Sequence, residues 1–126
     1  PKDPKAILEN GPPCIRVIYE KFKAKVEISH YERLAILWYL TNLGYGEEEI
    51  LEVFKELPDY KERITRYQIQ YAIKKKYKMM NCETMRNKYH IVPDELCQNC
   101  PLNDQIKNPI QFIYYYLGKR KRGNGD

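Results

Sequence analysis

Four cysteines are the residues best equipped for chemistry in this chain: Cys14, Cys82, Cys97 and Cys100. Cys97 and Cys100 stand three apart in Cys97-Gln98-Asn99-Cys100-Pro101, which puts two thiols on one turn and within reach of one metal or cluster. Cys14 and Cys82 are remote in sequence, but a helical bundle can bring them to the same place. Three arrangements fit the residue types. Four thiolates can hold an iron–sulfur cluster. They can hold a structural zinc, although zinc sites usually show two close pairs and here there is one. They can close two disulfides, with three possible connectivities. In each arrangement the four sites tie the first part of the chain to the last.

A second group combines aromatic rings with cations. Tyrosine occurs twelve times. Tyr67 and Tyr71 are four apart and share a helix face, beside Arg66 and followed by Lys74, Lys75, Lys76 and Lys78. Aromatics next to basic residues can stack bases while the cations hold a phosphate backbone. Arg86 and Lys88 add to the same charge. From Lys61 to Lys88 there are nine Lys or Arg against two acids, whereas Glu20 to Glu56 contains eight acids. With a net charge of +5, this asymmetry points to an anionic partner such as nucleic acid. The frequent Lys and Glu lean towards a hyperthermophilic source. No catalytic constellation is visible. There are two histidines, His30 and His90, no Gly-rich phosphate loop and no paired acidic metal motif.

The elements that must position these residues read as helices. The chain of 126 residues suffices for one domain with a modest core, and 43% of it is hydrophobic. No alternating strand pattern is present, and no apolar run approaches the roughly 18 residues of a membrane span. Residues 1–10 read as a linker, the edge of a longer protein. A helix is expected from about Pro12 to Val26, with Ile15, Ile18, Phe22 and Val26 on one stripe. Ser29-His30-Tyr31-Glu32 is a capping box that opens a second helix, stopped near Gly44. A third runs from Glu47 to Leu57 before Pro58, and Asp59 caps a fourth that carries Ile64, Tyr67 and Tyr71 on one face. Weaker helical signals cover Asn81 to Tyr89 and Pro109 to Leu117. Residues 118–126, with Lys119-Arg120-Lys121-Arg122, read as a disordered basic tail. The expected fold is all-α, a single small bundle of about five to six helices over residues 11–117, cross-linked through the four cysteines.

The order of these motifs resembles the C-terminal domain of the large subunit of archaeo-eukaryotic DNA primase. It is also similar to the helix-bundle domain fused behind the catalytic domain in archaeal plasmid primase–polymerases. Gly11-Pro12-Pro13-Cys14 resembles the family's Pro-x-Cys helix start, and His30-Tyr31-Glu32-Arg33 its His-Gly-Gly-Arg. Arg66-Tyr67-Gln68-Ile69-Gln70 resembles Arg-Tyr-Asn-Ile-Arg, and Cys100-Pro101-Leu102 resembles Cys-Pro-Phe. The glycine pair is replaced by Tyr31-Glu32, the last arginine of the tyrosine motif is Gln70, and the last cysteines form a close pair.

The resemblance implies an accessory role in primer synthesis. Such a domain binds single-stranded DNA template and the initiating nucleoside triphosphate (ATP-like), while a primase catalytic domain or subunit forms the bond. It implies an archaeal cytoplasm, or a nucleus for a eukaryotic member. His30 and Arg33 would contact the triphosphate. Both fall in the first turn of a capped helix, where free N–H groups and the helix dipole favour phosphate, and Arg offers a fork suited to its oxygens. Arg66, Tyr67 and Tyr71 would meet the template. Cys14, Cys82, Cys97 and Cys100 would hold a 4Fe–4S cluster, with two disulfides as the other arrangement. Two further readings stand beside this one: a redox- or metal-responsive DNA-binding regulator, and a structural interaction module.

Overall fold

Proline and capping residues set where the first helices begin. In the computed structural model, which describes residues 3–103 and 105–114, α1 spans Pro4–Glu9. Its cap is Asp3, whose carboxylate accepts from the Lys5 N–H at 2.9 Å. α2 spans Pro13–Lys23 and buries Cys14, Ile15, Ile18, Tyr19 and Phe22. Pro13 sits in its first turn, where a missing N–H costs nothing. α3 spans His30–Asn42 and has the capping box expected of Ser29 and Glu32. The Ser29 hydroxyl accepts from the Glu32 N–H at 3.2 Å, and the Glu32 carboxylate accepts from the Ser29 N–H at 2.9 Å. α4 spans Glu47–Phe54, α5 spans Glu62–Lys75, a π-helical turn covers Thr84–Lys88 and α6 spans Asp94–Gln98. Residues 109–114 are again helical.

α3 is the central element. It packs on α2, α4 and α5, while α1 bridges α2 and α4. Ala35, Ile36, Leu37, Tyr39 and Leu40 are buried around most of its circumference, as befits a helix surrounded by others. Phe22 of α2 meets Phe54 of α4 edge-on, with centroids 5.4 Å apart. The bundle is all-helical among the described residues, with no strand.

Several boundaries differ from the sequence reading, each for a local reason. Residues 4–9, expected as linker, form α1, because Ile7 and Leu8 are buried in the core. α2 stops at Lys23; Lys25 takes a positive φ of 57° and Val26 faces solvent. α4 ends at Phe54, and Leu57 is buried from the following turn. Asp59 does not cap α5, whose cap position is Lys61; its carboxylate binds Arg33 instead. The stripe of Ile64, Tyr67 and Tyr71 is the outward face of α5, and the inner face is Thr65, Ile69 and Ala72. α6 was not expected, and it brings the segment after Pro93 against α2. The basic tail and the end of the expected last helix lie outside the described residues.

Candidate nucleic-acid interface and cysteine site

The four cysteines come from separate elements and meet. Cys14 lies in the first turn of α2, Cys82 just before the π-helical turn, Cys97 on α6 and Cys100 in the turn after it. The Cys82 N–H donates to the Lys107 carbonyl at 2.8 Å, which fixes the segment carrying it. All four line one cavity of about 410 Å³, together with Arg86 and Leu102. All four are free thiols. No disulfide joins them among the described residues, and the cross-linking expected of the four cysteines is not shown; they line one space. Among the described residues no three His, Cys, Asp or Glu side chains converge closely enough to hold a single metal ion.

The surroundings set the electrostatics of these thiols. Burial pushes the Cys14 thiol far above its ordinary range, and the neighbouring Cys82, Cys97 and Cys100 push the same way. Burial and then Cys97 and Cys100 push Cys82 up to about 11, against the opposing pull of Arg86. Four thiolates cannot share this site without cationic charge among them, whereas iron or zinc deprotonates its thiol ligands outright. Four free thiols spread around one cavity are a donor set that suits a four-cysteine cluster. Arg86, expected among the DNA-binding residues, faces this cavity beside Cys97.

The second site is the start of α3. His30 is exposed, with Tyr31 edge-on to its ring at 5.3 Å. Tyr31 stacks on Tyr89 at 3.9 Å and 10°, and the Lys88 ammonium lies over Tyr89 at 5.4 Å. This joins Lys88 to the His30 side of the molecule. Arg33 is mostly covered and donates to the Asp59 carboxylate at 2.9 Å. A hollow of about 300 Å³ lies beside it, lined also by Lys61, Thr65 and Gln68. Glu32 does not face this hollow as a bare charge. Burial pushes its carboxyl up, but the Lys21 ammonium at 2.5 Å and the Ser29 N–H outweigh burial and hold it below the usual carboxylate range.

The third site is the outer face of α5. Tyr67 and Tyr71 are 67% and 42% exposed, which excludes them from the core, and their rings stack with centroids 6.2 Å apart. The Lys75 ammonium lies 5.6 Å from the Tyr71 ring centroid. Lys74, Lys75, Lys76 and Lys78 are exposed and have no acidic partner among the described residues. Arg66 differs from them. It binds Glu47 at 2.7 Å and Glu48 at 2.5 Å, and approaches Glu62 at 3.5 Å, so it ties α5 to the start of α4. Gln70 joins the same clamp through Glu47 at 2.9 Å. Two residues not expected as site residues continue the aromatic contacts: Tyr77 lies 6.0 Å from Tyr71, and Trp38 lies 5.1 Å from Tyr77. Tyr77 follows the lysine run directly, a signal that was available.

Residues 5–122 match the family model described as the eukaryotic and archaeal DNA primase large subunit, C-terminal domain. The chain belongs to that family. The DNA primase large subunit PriL of Thermoplasma acidophilum is 35% identical over 117 residues, covering 88% of this chain and 33% of the relative. The corresponding protein of Thermoplasma volcanium is 36% identical over 118 residues, covering 89% and 34%. That of Archaeoglobus fulgidus is 31% identical over 115 residues, covering 87% and 28%. This primase-family domain thus spans about a third of the length of the curated relatives it matches. No solved structure matches it. No helix among its described residues is long and apolar enough to cross a membrane. All three sites lie within the matched range.

Proposed function

We propose that this domain presents single-stranded template and an initiating nucleoside triphosphate to a separate primase catalytic subunit or domain, which forms the phosphodiester bond. The observation that carries the reading is the exposed Tyr67–Tyr71 stack beside lysines that have no acidic partner. Two exposed π faces offer stacking worth about 1–3 kcal/mol per base, independent of sequence. The lysines supply counterion release along the backbone. Arg66 supports the platform by holding α5 to α4, and does not itself offer a free charge to phosphate.

The triphosphate is assigned to the start of α3. The N–H groups in the first turn of a helix lack intrahelical partners. Ser29 occupies that of Glu32, which leaves those of His30 and Tyr31 to face an anion. Arg33 and Lys61 border the adjoining hollow, and the triphosphate competes with Asp59 for the Arg33 guanidinium. Lys88 approaches from the Tyr89 side.

Cys14, Cys82, Cys97 and Cys100 are assigned to a 4Fe–4S cluster in place of zinc or disulfides. When bound, such a cluster supplies four metal–thiolate links between α2 and the C-terminal segment, and a redox centre. Arg86 offers hydrogen bonding to its ligand Cys97.

The test is titration of the domain, at low salt, with a labelled single-stranded oligonucleotide and separately with ATP. Both bind if the reading is right, and the domain alone makes no primer. Binding of neither ligand overturns it. Arg33→Glu is expected to weaken ATP binding more than oligonucleotide binding; equal losses would remove the triphosphate from α3. Anaerobic purification with iron and zinc analysis tests the cluster: a colourless, metal-free protein with no free thiol would restore the disulfides.

A further inference from the structure

We propose that the single-strand platform does not end with α5: Tyr77 and Trp38 carry it around the helix end onto α3, and Asn42 is the positioning residue that holds the bend. The inference rests on the template reading above and commits to a single-stranded nucleic acid as occupant.

Four rings form one continuous series. Tyr67 and Tyr71 are 6.2 Å apart at 23°, Tyr71 and Tyr77 are 6.0 Å apart at 44°, and Tyr77 and Trp38 are 5.1 Å apart at 31°. Tyr67, Tyr71 and Tyr77 are all exposed, while Trp38 is half-buried and anchors the series on the core. Rings recruited for packing would be covered, and three of these four are not.

The bend is strained and is held by one amide. α5 terminates at Lys76 with φ of 54°, a left-handed conformation that costs a non-glycine residue free energy and persists where surroundings impose it. Asn42, the last residue of α3, spends its whole amide on this turn. Its Nδ2 donates to the Tyr77 carbonyl at 2.8 Å and to the Trp38 carbonyl at 2.7 Å. Its Oδ1 accepts from the Met79 N–H at 3.2 Å. One side chain thereby fixes both the backbone under Tyr77 and the helix end that carries Trp38.

Charge identifies the occupant. On α1, α2 and the end of α4, Lys5, Lys21, Lys23 and Lys55 are each paired with a glutamate. Around the rings, Lys74, Lys75, Lys76 and Lys78 are unpaired among the described residues, and the Lys75 ammonium lies 5.6 Å from the Tyr71 centroid. Exposed π faces bordered by uncompensated ammonium groups suit bases on an anionic backbone. Bases of a single strand are free to turn onto these ring faces, whereas those of a duplex are held in its own stack.

Trp38 is the single tryptophan of the chain, so its fluorescence reports the far end of the platform alone. Oligothymidylates of graded length are titrated at low salt against the wild type and variants. Short oligonucleotides are expected to bind without quenching, and longer ones to quench Trp38 saturably. Tyr77→Ala removes the quench and weakens the long oligonucleotides about five- to a hundredfold, the loss of one stacked base. Tyr77→Leu, which keeps apolar bulk, behaves the same way, and Tyr77→Phe retains binding. Asn42→Ala weakens long oligonucleotides and spares short ones. The proposal is overturned if Trp38 stays unquenched and Tyr77→Leu binds long oligonucleotides like wild type, while Tyr67→Ala still weakens them. That result leaves the template reading intact with a platform ending at Tyr71. A duplex of equal length that quenches Trp38 as well also overturns it. Binding of no oligonucleotide by the wild type removes both readings together.

Discussion

Replacing Glu32 by Gln separates the two tasks that this buried carboxylate performs. Gln is the alternative partner in a capping box, so the bond from the Ser29 N–H survives, and what is lost is the charge pair with Lys21 at 2.5 Å. Glu32 is 6% exposed and the Lys21 side chain is 43% exposed. The pair therefore lies between an exposed ion pair, about 0–1 kcal/mol, and a buried charge-assisted hydrogen bond, about 1.5–3 kcal/mol. A loss of about 1 kcal/mol is expected at pH 7, or about 3–6 °C in Tm for a domain of this size. Glu32→Ala loses the cap as well, about 1 kcal/mol more. The pH dependence has a definite sign. The folded carboxyl is held below its ordinary range, so its contribution is complete above the unfolded value of about 4.3. It is lost as pH falls through the lower folded value. Thermal unfolding followed by helical circular dichroism at pH 7 and pH 3 should show the wild-type advantage over Glu32→Gln shrinking in acid. An equal gap at both pH values, or none at pH 7, refutes the reasoning. Because Glu32 is already compensated by Lys21, the same variant should leave ATP affinity nearly unchanged. A gain of about tenfold, equivalent to about 1.4 kcal/mol, would show that the carboxylate faces the ligand.

Three further outcomes are expected. Cys14→Ser removes one ligand at nearly constant shape, so iron retention and Tm should both fall after anaerobic purification; unchanged iron content would place Cys14 outside the ligand set. Arg66→Ala should cost about 1 kcal/mol in denaturant unfolding and leave the salt dependence of oligonucleotide binding alone, since its charge is already neutralised. Lys75→Ala should lower the salt slope by about 0.7 with stability preserved, and the reverse pattern would exchange their roles. Gly44→Ala should cost about 1–2 kcal/mol in thermal unfolding, because φ is +91° there and nothing lies near an added Cβ to repay the strain; a neutral result would show that the turn relaxes.

Local signals in the sequence were legible except where a distant partner intervened, as when Arg33 drew Asp59 away from the cap expected of it. Ser29 and Glu32 announced the start of α3 because a capping box is written within four residues. The glutamates of α4 and the positive-φ glycine after α3 were equally legible. α1 and α6, with six and five residues, are too short to display a helical period. They are helices because α2 offers them a surface. The spacing of Tyr67 and Tyr71 declared a shared face but not its direction. That depended on the small, competing stripe of Thr65, Ile69 and Ala72, which lets α5 lie close to α3. Which carboxylate neutralises which arginine was also hidden. The pairs Arg33–Asp59 and Arg66–Glu48 span 26 and 18 residues, and follow from helix packing rather than from any motif.

The cysteine cavity has a consequence for the order of events during synthesis. One wall comes from α2, while the others come from the final third of the described residues. No fragment ending before Cys100 can assemble it, and closing it requires contacts of very high sequence separation, the slowest kind to form. A ligand that needs all four thiols can therefore engage only a chain whose ends have already found each other, and its binding energy is then added to folding. With the proposed cluster, occupancy of the site would mark completed folding: a chain that stalls with α2 formed and the later segment adrift would remain unloaded.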